Sequence, residues 1–235
     1  MTGRIADPVA FAVVRVVARQ LRDADGRSAR SGRREAGVGD GSPVGRGRAS
    51  MPAMRRVVIV GCSGAGKSTL ARALGARLAL PVVHLDVHYW RPGWVETPRD
   101  EWLPVVDRLV AADDWIIDGN FGSSLATRLA RADTAIHLDF PRRTCVRGVL
   151  SRVAREHGRS RADMAPGCVE RFDWKFLKWV WGFARTERPR VLERLAEFER
   201  AGGRVVTLRS RRECAELLDA MPVPRPPSSA EGDRT

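Results

Sequence analysis

The chain has 235 residues, 43% of them hydrophobic and 29% charged. That is enough for one globular domain with a sizeable core and some spare tail, and it excludes a fully disordered chain. No apolar run approaches the roughly 20 residues of a membrane helix. The stretch from Val9 to Ala18 is short and broken by Arg15, and Asp7 with no small-residue cleavage site argues against a signal peptide. The expectation is a cytoplasmic protein with no membrane partner. Cys62, Cys145, Cys168 and Cys214 form no C-x-x-C pair, so they read as reduced thiols. The set Cys145, His157, Cys168 and Asp173 lacks the paired spacing of a closed zinc site.

The formal net charge of +13 points toward nucleic acid until it is divided. Residues 1–50 carry ten arginines against five acids, and only Lys67, Lys175 and Lys178 of the 41 basic residues are lysine. A bias so general fits a codon preference for arginine, which leaves local clusters as the informative feature.

In chain order, residues 1–53 read as a disordered basic extension, because Arg22 to Ser50 holds almost no large apolar residue. Met51 and Met54 directly precede the first strand, as either a later start codon or a genuine basic arm would have it. The globular domain is expected over 54–221, followed by a disordered proline-rich tail over 222–235. Within it, Arg56-Val-Val-Ile-Val60 is a β-branched run, and Ser68 to Leu80 has helical spacing. Pro81 to Leu85, Trp115 to Ile117, Ala135 to Leu138 and Arg204 to Leu208 are further strands; Asp100 to Ala112 and Arg212 to Met221 are helices. Continuous apolar strands alternating with helices predict the α/β class, a parallel sheet covered on both faces.

Gly61-Cys-Ser-Gly-Ala-Gly-Lys67-Ser68 fits G-x-x-x-x-G-K-[ST] between a strand and a helix. The glycines let backbone N–H groups of Gly61, Ser63, Gly64, Ala65, Gly66, Lys67, Ser68 and Thr69 surround phosphate oxygens at a helix N-terminus. Lys67 is expected to reach the β and γ phosphates and Ser68 to ligate Mg²⁺. Asp118, ending a parallel strand, points to the crevice where such sheets bind ligands, and is the expected second metal residue. A turn-starting aspartate is the alternative.

Asp86 follows another strand and is the candidate to orient or deprotonate an acceptor hydroxyl, a helix cap being its alternative. His84 reads as a core histidine; His88 and Arg91 are weighed as pocket residues against a packed loop. Seven arginines (Arg142, Arg143, Arg147, Arg152, Arg155, Arg159 and Arg161) lie within twenty residues containing one acid, Glu156. Phosphoryl transfer needs cations over the moving group, so an arginine-rich helical lid over about 142–185 is expected, with Arg152 and Arg155 its catalytic candidates. A solvated basic helix and a phosphate-backbone surface are the alternatives. Phe172, Phe176, Trp179 and Phe183 share one helical stripe and are expected to be buried; Trp174 and Trp181 are the candidates for base stacking.

The phosphate-loop motif, His84-Leu-Asp86, Trp115-Ile-Ile-Asp-Gly-Asn120, Leu138-Asp-Phe-Pro141, the arginine run and Glu170-Arg-Phe-Asp-Trp174 together resemble the adenylate-kinase-like P-loop proteins called topology-modulation proteins, over about residues 55–220. The resemblance implies a nucleoside-monophosphate-kinase fold, a five-stranded parallel sheet of order 2-3-1-4-5 with a lid after the fourth strand. It also implies ATP and Mg²⁺ as ligands and places adenine near Ser210 and Arg211. Adenylate kinases follow their third strand with Asp-Gly-Phe-Pro-Arg, whose arginine helps to hold the acceptor monophosphate. Here Asn120 and Phe121 interrupt that pattern, and no arginine follows until Arg128. The function expected is ATP-dependent phosphotransfer to a small acceptor such as a nucleotide or nucleoside, by a monomer or dimer. A nucleotide-gated DNA-binding regulator without kinase turnover is the alternative, nucleic acid being the less favoured partner.

Overall fold

The computed structural model describes residues 54–221, so the calls on the basic extension and the proline-rich tail lie outside the described residues. In chain order the elements are β1 (Arg56–Gly61), α1 (Lys67–Leu78), β2 (Val82–His84), α2 (Leu85–Tyr89), β3 (Trp90–Arg91), β4 (Val95–Glu96), α3 (Arg99–Val110), β5 (Trp115–Asp118), α4 (Gly122–Arg131), β6 (Thr134–Leu138), α5 (Arg142–Glu156), α6 (Trp174–Thr186), α7 (Arg188–Arg200), β7 (Arg204–Leu208) and α8 (Arg211–Ala220).

Five strands form a sheet of order β2-β5-β1-β6-β7, and every pairing in it is parallel. Parallel strands require crossovers, which the helices supply. Successive residues of a strand face opposite ways, and β1 shows the result. Val57 and Ile59 pack with α1, α5, α6 and α8 through Leu70, Leu74, Cys145, Val149, Val180, Phe183 and Leu217. Val58 and Val60 pack with α3, α4 and α7 through Trp102, Val106, Leu125, Leu129, Val191, Leu195 and Phe198. Both faces are therefore dry, which is why these strands read as unbroken apolar runs.

Three local features depart from expectation. The second strand stops at His84, so Asp86 sits in the first turn of the five-residue helix α2. Trp90–Arg91 and Val95–Glu96 form a small antiparallel ribbon around the Pro92-Gly93 turn. The stripe Phe172, Phe176, Trp179 and Phe183 is not a buried face: α6 begins at Trp174, and Phe183 alone of the four is buried. The core side of α6 is instead Phe176, Leu177, Val180 and Phe183.

Candidate functional site

The loop between β1 and α1 gathers at the C-terminal edge of the sheet. Gly64 and Gly66 adopt φ of 82° and 98°, the left-handed region that favours glycine, and Gly66 forms the N-cap of α1. A Cβ on Gly64 would collide with the carbonyl of Cys145 in α5, while one on Gly66 would meet nothing within 4 Å. The loop thus rests on α5 at one point and borders open space at another. The Gly61 N–H donates to Asn120 Oδ1 (3.0 Å), which fixes the loop's entry to the turn after β5. Cys62 is buried, its thiol directed at the Val180 carbonyl (3.7 Å).

Lys67 Nζ donates to the carbonyls of Gly61 (2.9 Å) and Cys62 (3.3 Å). Burial lowers its pKa, opposed by the charges of Asp118 and Asp86, while Arg152 adds a like charge. No carboxylate bonds it directly among the described residues, so its charge is left available to an anion.

Ser68 Oγ donates to Asp118 Oδ2 (2.7 Å), and the other oxygen of Asp118 meets His84 Nδ1 at 2.5 Å. Asp118 is buried. Its hydrogen bond raises the His84 pKa against the opposing effect of burial. His84 is thus a ligand of Asp118, not simply a core histidine; the register His84↔Asp118 between β2 and β5 brings them together. Asp86 accepts from Trp90 Nε1 (3.3 Å), and burial raises its pKa, with Lys67 pulling the other way.

The segment after α5 gives Glu170, present above only within a motif, a pairing role, and brings in Asp163, which sequence reasoning did not single out. Glu170 is buried and pairs with Arg152 Nε (3.3 Å) and Arg161 Nε (3.1 Å). Arg161 also lies 3.7 Å from Asp163, which pairs in turn with Arg72 of α1 (4.0 Å). Burial and the neighbouring Arg161 lower the Arg152 pKa. Arg155 is exposed and donates to Ser151 Oγ (2.8 Å), so it stands apart from this cluster, and Arg161 is the second arginine there. The signal in sequence was the pair of isolated acids, Asp163 and Glu170, in a segment otherwise crowded with arginine.

Residues 158–170 are stitched to the ribbon of β3 and β4. Gly93 N–H donates to the Gly167 carbonyl (3.2 Å), and Trp94 Nε1 donates to the Val169 carbonyl (3.0 Å). Cys168 Sγ donates to the Arg91 carbonyl (3.2 Å), while Met164, Ala165 and Cys168 pack against Trp90 and Trp94. His88 and Arg91 are exposed, and Arg91 pairs with Glu101.

The turn after β5 is held from within. Arg128 of α4 is fully buried and donates to the carbonyls of Gly119 (2.8 Å), Asn120 (2.6 Å), Phe121 (3.1 Å) and Ser124 (3.3 Å). Burial pushes its pKa down to about 9. Phe121, at φ 26°, is an unusual backbone for a residue with a side chain, and the guanidinium gathers the carbonyls on either side of it.

Ser210 caps α8, accepting from the Glu213 N–H (3.2 Å) and donating to Glu213 Oε1 (3.1 Å). It follows β7 at the same sheet edge as the loop, with Arg211 exposed beside it. Among the described residues no three His, Cys, Asp or Glu side chains form a metal-holding group. A magnesium ion carried by phosphates needs only one or two protein ligands, which a hydroxyl and a carboxylate 2.7 Å apart supply. The residues present therefore fit a magnesium-bound polyphosphate.

No protein-family model matches the chain, and no curated protein matches it. Among solved structures it is similar to a candidate kinase from Chloroflexus aurantiacus J-10-fl, with 17% identity, a TM-score of 0.43, and coverage of 72% of this chain and 96% of that one. It is also similar to a gluconokinase from Sinorhizobium meliloti 1021, with 15% identity, a TM-score of 0.44, and coverage of 72% and 90%. No helix among the described residues is long and apolar enough to cross a membrane.

Proposed function

We propose that the chain is a P-loop phosphotransferase that moves the γ-phosphoryl group of ATP to a hydroxyl of a small acceptor. The observation that carries this reading is the convergence of Lys67, the Ser68–Asp118 pair and Asp86 at one edge of a parallel sheet. A nucleotide-binding scaffold alone has no use for Asp86, a carboxylate that burial makes more basic beside a lysine.

When bound, Mg²⁺ would neutralise charge on the β and γ oxygens, held on the protein side by Ser68 and Asp118. The loop amides from Ser63 to Thr69 bind phosphate oxygens at the positive end of α1, and Lys67 leaves its carbonyls to reach them. Asp86 accepts the acceptor's hydroxyl proton or aligns that hydroxyl for attack. Arg152, steadied by Glu170 and close enough to depress Lys67, stabilises charge on the transferring group. Arg161 takes the role expected of Arg155. Residues 142–185 act as the lid, and Ser210 with Arg211 borders the base. The acceptor is a nucleotide, a nucleoside or another small hydroxyl compound.

Calorimetry with ATP and Mg²⁺, followed by coupled ADP release over a panel of nucleosides, nucleoside monophosphates and sugar acids, tests the reading. Lys67→Ala is expected to abolish nucleotide uptake. Asp86→Asn is expected to keep uptake and lower ADP release at least a hundredfold. Failure of the purified chain to take up any purine triphosphate with Mg²⁺ present refutes it.

A further inference from the structure

The positive charge of the described domain is concentrated in one place. Residues 54–141 hold ten basic and ten acidic side chains, residues 187–221 hold eight and seven, and residues 142–186 hold eleven and four. A genome-wide taste for arginine raises basic content everywhere, and elsewhere in this domain acids answer it. On α7, Arg194 pairs with Glu197; on α8, Arg212 pairs with Glu216; Arg188 grips Asp139. The excess on α5 and α6 is left unanswered.

Arg152 and Arg161 turn inward to Glu170. Arg143, Arg147, Arg159, Arg171, Lys175, Lys178 and Arg185 are exposed and make no ion pair among the described residues. Of the three remaining acids in the segment, Asp163 pairs with Arg161 and Arg72, and Asp173 caps α6 by accepting from the Phe176 N–H (3.0 Å). Two of the chain's three lysines lie on this one helix face.

Exposed aromatic rings stand on the same face and just before the helix. Trp174 is 67% exposed, Trp181 47% and Phe172 54%. Trp174 and Trp181 are seven residues apart, two helical turns or about 10 Å along α6, with Lys175 and Lys178 between them. The Arg142 guanidinium lies 4.2 Å from the Trp181 ring and holds that indole in place. Leaving such rings in water forfeits the burial available to them, and a soluble surface with several together marks an interaction site.

The order of charge and ring selects the partner. A helix that lies on a lipid surface separates an apolar face from a charged one. The apolar face of α6 is already buried in the core, and its outer face alternates indole and cation along one line. A second copy of this chain would bring like charges together. A polyanion that also presents flat unstacked rings satisfies both components, cations to phosphate and indoles to bases.

We propose that the outer face of α5 and α6 binds single-stranded nucleic acid, with bases stacked on Trp174 and Trp181 and phosphates held by Arg171, Lys175, Lys178 and Arg185. None of these residues belongs to the set proposed for phosphotransfer, although they lie on the outer side of the proposed lid, and the test reads oligonucleotide binding alone.

The test is fluorescence anisotropy of a labelled 20-nucleotide oligodeoxythymidine with the full chain, across a salt series. Trp174→Ala/Trp181→Ala is expected to weaken binding about tenfold or more with the salt slope unchanged. Lys175→Glu/Lys178→Glu is expected to weaken it similarly and flatten the slope by about 1.4 or more, at roughly 0.7 per phosphate contact. All four positions are exposed, so an unchanged thermal midpoint shows the variants folded. Four results each overturn the proposal: no oligonucleotide binding, binding untouched by either variant, duplex of equal length held as tightly as the single strand, or phosphatidylserine vesicles bound in place of the oligonucleotide.

Discussion

Arg128 shows how much one side chain can organise. Its guanidinium has four main-chain carbonyls for partners, from Gly119 to Ser124, and no carboxylate in direct contact among the described residues. Those carbonyls belong to the turn that presents Asp118 on one side and Asn120, partner of the Gly61 N–H, on the other. Lysine offers a point charge where arginine offers a fork, so Arg128→Lys leaves several carbonyls unsatisfied. The expected outcome is a loss of about 3 kcal/mol in urea unfolding, together with weaker Mg²⁺-dependent nucleotide uptake as the turn relaxes. In the sequence Arg128 is merely the first arginine after a motif that lacks one. Nothing local announces that it is buried, because its partners are backbone groups whose positions depend on the folded turn.

At the scale of elements, the phosphate loop depends on α5 as much as on its own glycines. A Cβ on Gly148 would strike the Gly64 carbonyl, and one on Gly64 would strike Cys145. Gly148 lies inside a helix, where alanine is intrinsically better by about 1 kcal/mol. Gly148→Ala should therefore stabilise the protein if the contact is unimportant. The expectation is the reverse, a loss of about 1–3 kcal/mol in the denaturant midpoint and weaker nucleotide uptake, because backbone on both sides must shift. The strand, loop and helix from Arg56 to Leu78 are legible in sequence because an apolar run, a glycine pattern and leucine spacing agree. The contact of Gly148 with the loop is not, since it joins residues 84 apart in sequence through two glycines of unrelated local purpose. The short ribbon of β3 and β4 is likewise hidden, with two residues a side and a Pro-Gly turn that reads as simple loop.

At the scale of the whole molecule, the sheet carries an acid-sensitive point in its centre. His137 of β6 is buried, its Nδ1 finds no hydrogen-bond partner among the described residues, and burial lowers its pKa. The unfolded chain, with an ordinary value of about 6.5, takes the proton first. Stability contributed by neutral His137 is therefore present above that pH and lost as pH falls through it. His137→Leu is expected to show a smaller drop in thermal midpoint than the parent between pH 7.5 and 5.5. The alternation of strands and helices made the α/β class readable from the chain, because both sheet faces must be apolar. The arginine run of α5 was visible in the chain, but which of its cations stay unpaired was not, because that depends on the folded pairing of Arg152 and Arg161 with Glu170.

The bonds from Gly93, Trp94 and Cys168 join residues 158–170 to the ribbon, two flaps from distant parts of the chain. The ribbon holds Asp86 through Trp90 Nε1 and the other segment carries Arg161 with Glu170, so a displacement of either flap must draw the other along or sever their seam.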